Sequence, residues 1–385
     1  MGIPIGIVSE SSPGERRVAM APSALSVLNK SGVEWWMEAG AGARAGFPDA
    51  EYAGKGVRIA SRAEVFERAE IILQVRGPGA NPDAGAADVA QMRRGQTAIG
   101  FGEPLTALDA ARELAARGIT FLAMELMPRI TRAQSMDALS SMATIAGYKA
   151  VLIAADSLPR MFPMLMTAAG TVPPAKVLVL GAGVAGLQAI ATARRLGAIV
   201  RAYDVRTAAR EEVKSLGAAF VELELEAQEG QGGYAGEQSE DFLARQRELI
   251  GKEVAAADVV ITTAAIPGRR APLLVTASMV EAMRPGSIIV DLAAETGGNC
   301  ELSEPGVDVD VNGVTVHGAS NVASSMPVHA SFLYARNIAE VLGLMVSDGA
   351  FAPDFNDEII SGMCVTFGGE VRHEPTRQLL EGGNG

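Results

Sequence analysis

Histidine is nearly absent from this chain: there are three in 385 residues, and all lie at position 317 or beyond. Imidazole is the side chain that most often moves protons near neutral pH, so any chemistry placed earlier in the chain must proceed without it. Cysteine is just as scarce. Cys300 and Cys364 are too few for a disulfide framework and read as buried thiols in a reducing compartment. Positive charge is in deficit, with 33 Lys and Arg against 45 Asp and Glu, a net charge of −12 and a pI near 4.9. Nucleic-acid binding needs a basic face that releases counterions, so that class is excluded as a partner.

Long apolar runs are also missing. The longest weakly polar stretch, "VLVLGAGVAGLQAIATA" at 177–193, only reaches the lower limit of a membrane span, and its glycines are spaced for a strand, a turn and a helix. No segment is expected to insert in a bilayer. The opening "MGIPIGIVSESSPGERR" reads as a strand and a polar loop, with no basic n-region or cleavage signal. A cytosolic chain is expected, and no metal.

The chain does carry enough apolar residues, 48% of 385, to fill two domains of ordinary size. Short apolar runs alternate with helical patterns, as in a parallel sheet covered by helices. Strands are expected in 3–9, 33–39, 70–77, 95–101 and 119–125, with helices in "APSALSVLNKSG" (21–32) and "TALDAARELAARG" (106–118), each stopped by glycine. From Ser135 a helical pattern runs to Pro159, long enough to leave one domain and enter the next. A second strand series falls in 176–183, 198–205, 218–224, 257–265, 286–295 and 314–320. Residues 326–346 read as a long return helix and 363–373 as a hairpin. The fold class is α/β: two doubly wound, Rossmann-like domains joined by long helices. The expected division is 1–138 with 325–385, and 139–324 as the nucleotide-binding domain.

The sharpest motif is "VLVLGAGVAGLQAIATARRLGAIVRAYDVR". Gly181, Gly183 and Gly186 form G-x-G-x-x-G directly after a strand and at the start of an Ala-rich helix. Gly181 permits the tight turn, Gly183 admits a pyrophosphate against the backbone, and Gly186 lets helix pack on strand. Asp204 ends the next strand, where a carboxylate would accept both ribose hydroxyls and repel a 2′-phosphate, so NAD(H) is expected over NADP(H). Arg206 nearby could instead serve that phosphate. A Gly- and Glu-rich stretch at 226–242 around Tyr234 reads either as a surface insertion or as a lid with Tyr234 as its packing piece.

The segment "MELMPRITRAQSMDALSS" (124–141) gathers Arg, Gln, Asp and Ser beside a Met-Pro turn, a polar site without imidazole. Together with "MTAAGTVPPAKVLVLGAGVAGLQAIATA", the Gly-Gly-Tyr-Ala run and "DLAAETGGNCELSEPG", it resembles the NAD(H)-binding component, domain I or the α subunit, of proton-translocating NAD(P) transhydrogenase. The likeness spans essentially the whole chain, and a more distant one to alanine dehydrogenase covers the same length.

The resemblance implies direct hydride transfer between NAD(H) on this chain and NADP(H) on a β subunit, with a small membrane subunit. It further implies a homodimer peripheral to the cytoplasmic face of the inner membrane. Arg129, Gln134, Asp137 and Ser140 match the residues around the nicotinamide and its ribose. Arg129 and Ser140 can bond the carboxamide, Asp137 can orient Arg129, and Gln134 can hold a ribose hydroxyl or reach a second nucleotide. A helix N-terminus would also want Ser135 or Asp137 as a cap. Val184, Ala185, Val205, Thr263 and Ala264 complete the implied nucleotide contacts. Alanine dehydrogenases place a Lys and a His where this chain has Arg76 and Phe101, so their catalytic pair is absent. A stand-alone amino-acid dehydrogenase and an NAD(H)-sensing module remain the alternatives. For the dimer, 363–373 or the Met-rich "RMFPMLMTAAG" (160–170) could serve, although a Met-rich run more often fills a core.

Overall fold

The computed structural model of the chain describes residues 2–28, 32–222, 240–265 and 268–382. These form two compact units, 1–142 with 324–385 and 143–323.

The first unit is built on an eight-stranded sheet. Its order is Glu370–Val371, Cys364–Phe367, Thr120–Ala123, Thr97–Phe101, Ile71–Arg76, Ile3–Ile7, Val33–Glu38, Arg58–Ala60. The six N-terminal strands are parallel. The C-terminal hairpin adds two antiparallel strands at one edge, turning through Gly368 and Gly369 with φ of +64° and +87°. Positive φ at both turn residues suits a two-residue hairpin, and glycine adopts it without strain. Phe66, Val89, Leu114 and Phe121 pack into one core of this unit.

The second unit carries a seven-stranded sheet ordered Ala219–Phe220, Ile199–Tyr203, Lys176–Leu180, Val259–Thr262, Ile288–Asp291, Val314–Gly318, Asp308–Val311. All its strands are parallel except the last. Val177 and Val179 enter one hydrophobic cluster while Leu178 and Leu180 enter another, so the strand is buried on both faces. That explains why it reads as an unbroken apolar run.

Three helices position the functional segments: α1 (Ala138–Ser157), α2 (Val184–Arg195) and α3 (Pro327–Gly343). The helix α1 starts in the first unit and continues into the second, where Ala150, Val151 and Ala154 are fully buried beside Ala189, Ile190 and Ala193 of α2. Gly147 lets the two helices touch, since a Cβ there would lie 2.1 Å from the Ala185 carbonyl oxygen. Among the described residues α1 is also the one helix long and apolar enough to cross a membrane, a property that buried core helices share.

The α/β class and the two parallel sheets form as expected, but several elements differ. In 21–32 there is only a 3₁₀ turn, Leu25–Leu28; Pro22 precedes it, and the Ser26 hydroxyl donates to the Ser23 carbonyl instead of leaving the backbone to itself. The helical pattern from Ser135 begins at Ala138, after a separate 3₁₀ stretch, Thr131–Met136. The Met-rich run is no core: it leads into an exposed hairpin, Leu165–Thr167 with Gly170–Val172, and Met166 is 71% exposed. Within 218–224 only Ala219–Phe220 is strand, and the stretch from 223 to 239, Tyr234 included, lies outside the described residues.

Candidate functional site

In the second unit the chain passes from the central strand Lys176–Leu180 outward to Ile199–Tyr203, then returns to Val259–Thr262 on the other side. Ligands of open α/β sheets bind at the carboxyl ends of strands where the order reverses in this way. Gly181, Gly183, Val184, Ala185 and Gly186 follow the central strand there. Asp204, Val205 and Arg206 follow one neighbour, and Thr263 and Ala264 follow the other.

The three glycines are not interchangeable. Gly181 has φ +98°, and a Cβ on it would lie 2.6 Å from Thr263 Oγ1. A Cβ on Gly186 would come within 1.9 Å of the Gly181 carbonyl oxygen, so α2 could not close on the strand. Around Gly183 nothing lies within 4 Å of where a Cβ would stand. Gly183 is the N-cap of α2 and offers no side-chain acceptor, so the first amide groups of the helix face open space. A backbone left open at the middle glycine, at a positive helix end, fits a pyrophosphate.

Asp204 is buried and richly bonded. Its Oδ2 accepts from the Ala182 amide at 2.7 Å, and its Oδ1 from the Arg206 amide at 2.8 Å. The Arg206 guanidinium adds Nε to Oδ1 and Nη2 to Oδ2, both at 2.9 Å. Burial alone would raise this carboxyl, yet Arg206 and the two amides hold it below the usual range.

Two residues unmarked as site residues in the sequence shape the opposite wall. Asp291 and Asn299 are both fully buried. Asp291 accepts from the Thr262 hydroxyl and from the amides of Ala293, Asn299 and Cys300. Asn299 in turn brackets Ala264, accepting from its amide at 3.0 Å and donating to its carbonyl at 2.8 Å. An acid at the end of a fully apolar strand, followed closely by Asn in a Gly-Gly turn, is the sequence signal that identifies them.

In the first unit, Arg129, Gln134, Asp137 and Ser140 come together on one short path. Gln134 and Arg129 are exposed, whereas Ala133 and Met136 anchor the 3₁₀ stretch in the core. Asp137 caps α1: it accepts from the Ser140 amide at 2.9 Å and from the Ser140 hydroxyl at 2.6 Å. Its carboxylate thus has the helix-capping role that residues of this type commonly take. The neighbouring Arg132 pairs bidentately with Asp357 at 2.8 and 2.9 Å.

The order reversal of the first sheet falls between Ile3–Ile7 and Ile71–Arg76, and the segments beyond it are filled by charge. Glu15 and Arg17 are buried and paired through two bonds, of 2.7 and 2.6 Å. Arg76 Nε reaches Glu15 at 3.2 Å. Burial opposes the Glu15 charge, but Arg17 overrides it and holds the carboxyl down to about 2. Glu10 accepts from the amides of Val75 and Arg76, and burial still pushes it up to about 7. Phe101 packs on Tyr334, with ring centroids 5.4 Å apart. Neither Arg76 nor Phe101 is a group that exchanges protons near neutral pH. Among the described residues no group of three or more His, Cys, Asp or Glu is arranged to hold a metal.

Comparison with known proteins agrees with this anatomy. Residues 6–146 match the alanine dehydrogenase/PNT N-terminal domain, and residues 150–374 match the C-terminal domain of the same family. The first portion of NAD(P) transhydrogenase subunit alpha of Rhodospirillum rubrum, a separate chain, is 46% identical over 96% of this chain and 97% of that protein. A crystal structure of transhydrogenase from Sinorhizobium meliloti superposes with a TM-score of 0.87 at 46% identity, covering 96% of this chain and 99% of that one. An L-alanine dehydrogenase structure is more distant, at 25% identity with a TM-score of 0.80 over 99% of both chains.

Proposed function

We propose, since the chain belongs to the alanine dehydrogenase/PNT family, that it is the soluble NAD(H)-binding subunit of a proton-translocating NAD(P) transhydrogenase. The observation that carries this is the end-to-end identity to a transhydrogenase α subunit, which covers both units of this chain and nearly all of the relative. When bound, NADH supplies a hydride, two electrons with one hydrogen nucleus, for the oxidised nicotinamide of NADP+ on a β subunit.

This chain's own residues bind and align. The amides at Gly183 and the start of α2 receive the pyrophosphate, Asp204 and Val205 receive the adenosine ribose, and Thr263 and Ala264 form the facing wall. Arg129 and Ser140 bond the carboxamide, Asp137 fixes Ser140, and Gln134 aligns the ring with its partner. A hydride passing between two nicotinamides moves no proton, so no general base is required of this chain. The saturated Glu15–Arg17–Arg76 cluster and the Phe101 ring support that division of labour. A β subunit that binds NADP(H), a small membrane subunit and a second copy of this chain complete the assembly, at the cytoplasmic face of the membrane.

The test is a comparison of two mixtures. Purified chain with NAD+ and L-alanine should produce no NADH, whereas chain with an NADP(H)-binding transhydrogenase component should exchange reducing equivalents between the nucleotides. Alanine-dependent growth of NADH absorbance would instead assign the chain to amino-acid oxidation.

A further inference from the structure

We infer that Asn337, on α3, is a positioning residue for hydride transfer, which holds in place the 3₁₀ turn that presents Gln134. The inference rests on the function proposed above.

The helix α3 lays Ser331, Tyr334 and Asn337 at successive i, i+3 positions, which fall along one side of a helix. Ser331 and Tyr334 are fully buried and Asn337 is 5% exposed. Each ties down a different segment of the first unit. The Ser331 hydroxyl accepts from the Val18 amide at 2.9 Å, the Tyr334 hydroxyl donates to the Gln74 carbonyl at 2.8 Å, and Asn337 Nδ2 donates to the Ser135 carbonyl at 2.8 Å.

The third bond is the one that bears on the site. Thr131–Met136 is a six-residue 3₁₀ stretch, longer than such turns usually run, and its exit bond, from the Asp137 amide to the Gln134 carbonyl, is stretched to 3.4 Å. Its own hydrogen bonding is therefore weak where Gln134 leaves it. Ala133 and Met136 bury two side chains, and the Asn337 amide grips the backbone between them, one residue from Gln134. A carbonyl only accepts, so the amide nitrogen must face Ser135. The Asn337 Oδ1 is then left buried, with no donor among the described residues. A side chain that packs well on one half and is unsatisfied on the other is a poor choice for stability alone, and its made bond points to what it does.

The test uses Asn337→Leu and Asn337→Asp, the second keeping the shape while presenting only acceptors at neutral pH. Three quantities are measured on the full chain. They are amide exchange across 132–137 without nucleotide, the NADH dissociation constant, and the single-turnover hydride-transfer rate with an NADP(H)-binding component. The expected result is faster exchange at 132–137, NADH affinity nearly unchanged, and a rate lower by about 10- to 100-fold, the scale expected of a misplacement near 1 Å. Since Asn337 acts through Gln134, Gln134→Asn combined with Asn337→Leu should be slower than Gln134→Asn alone by far less than the Asn337→Leu factor.

Independent, multiplying effects would overturn the inference, as would unchanged exchange at 132–137 or a rate that falls only in proportion to lost NADH binding. If Asn337→Leu does not fold, Asn337→Asp carries the same reading. A wild-type chain that transfers no hydride refutes the proposed function. A wild-type chain that transfers, with Asn337 variants equal to it, refutes only the role of Asn337.

Discussion

Arg206 holds both carboxylate oxygens of Asp204, two residues away in sequence. With the amides of Ala182 and Arg206 also bound, the Asp204 carboxylate already receives four donors, about as many as its lone pairs serve. Ribose hydroxyls can claim Asp204 only if the guanidinium gives way. NADH should bind well and NADPH poorly, and Asp204→Ala should lose about 1–3 kcal/mol for NADH through unpaired hydroxyls. Arg206→Ala should keep NADH affinity and weaken NADPH further, because a neutralising charge is gone. Calorimetry with both nucleotides checks this, and equal dissociation constants for NADH and NADPH in the wild-type chain would sink it.

The glycine turn separates folding from binding. Gly186→Ala forces a Cβ into the Gly181 carbonyl oxygen, so it should destabilise the chain by about 1–3 kcal/mol, as overpacking of a tight contact does. Gly183→Ala meets no neighbour and should melt near the wild-type temperature, yet bind NADH at least several-fold more weakly, because the methyl enters the space kept for phosphate. Thermal melts beside nucleotide titrations distinguish the two. A Gly183→Ala chain with full affinity would remove the pyrophosphate from that position.

Glu10 and Glu15 should oppose one another in the pH dependence of stability. Glu10 is raised to about 7 in the folded chain, so its protonated form favours folding. Its contribution is full below about pH 4.5 and is lost as pH rises through 7, on the order of 3 kcal/mol in total. Glu15, held down to about 2, contributes stability above pH 4.5 that is lost as the solution is acidified toward 2. The difference in unfolding free energy between wild type and Glu10→Gln should therefore shift in the variant's favour from pH 5 to pH 7.5. A pH-independent difference would place the Glu10 carboxyl in its ordinary range.

Sheet and turn are legible in the sequence because their physics is local. Buried parallel strands must be apolar on both faces, as Val177 to Leu180 are, and only glycine satisfies the φ at 181 and the contact at 186. The exposed hairpin at 165–172 is not legible, because nothing in the composition of Met164, Leu165 and Met166 tells a core from a face turned outward. The capping role of Asp137 is readable as one of two uses, while the grip of Asn337 on Ser135 is not, since 202 residues separate them. Likewise Arg206 stands out as a residue near Asp204, but its bidentate hold depends on side-chain geometry that spacing does not encode.

Direct passage of hydride from one nicotinamide to another, with this chain holding the first, can be followed with an isotope. NADH carrying deuterium at the transferred position is supplied to the chain mixed with an NADP(H)-binding transhydrogenase component and NADP+. The deuterium should appear on NADPH in full, with none released to water and no dependence on any added amino acid. Loss of the label to solvent, or transfer only when an amino or keto acid is present, would contradict direct transfer.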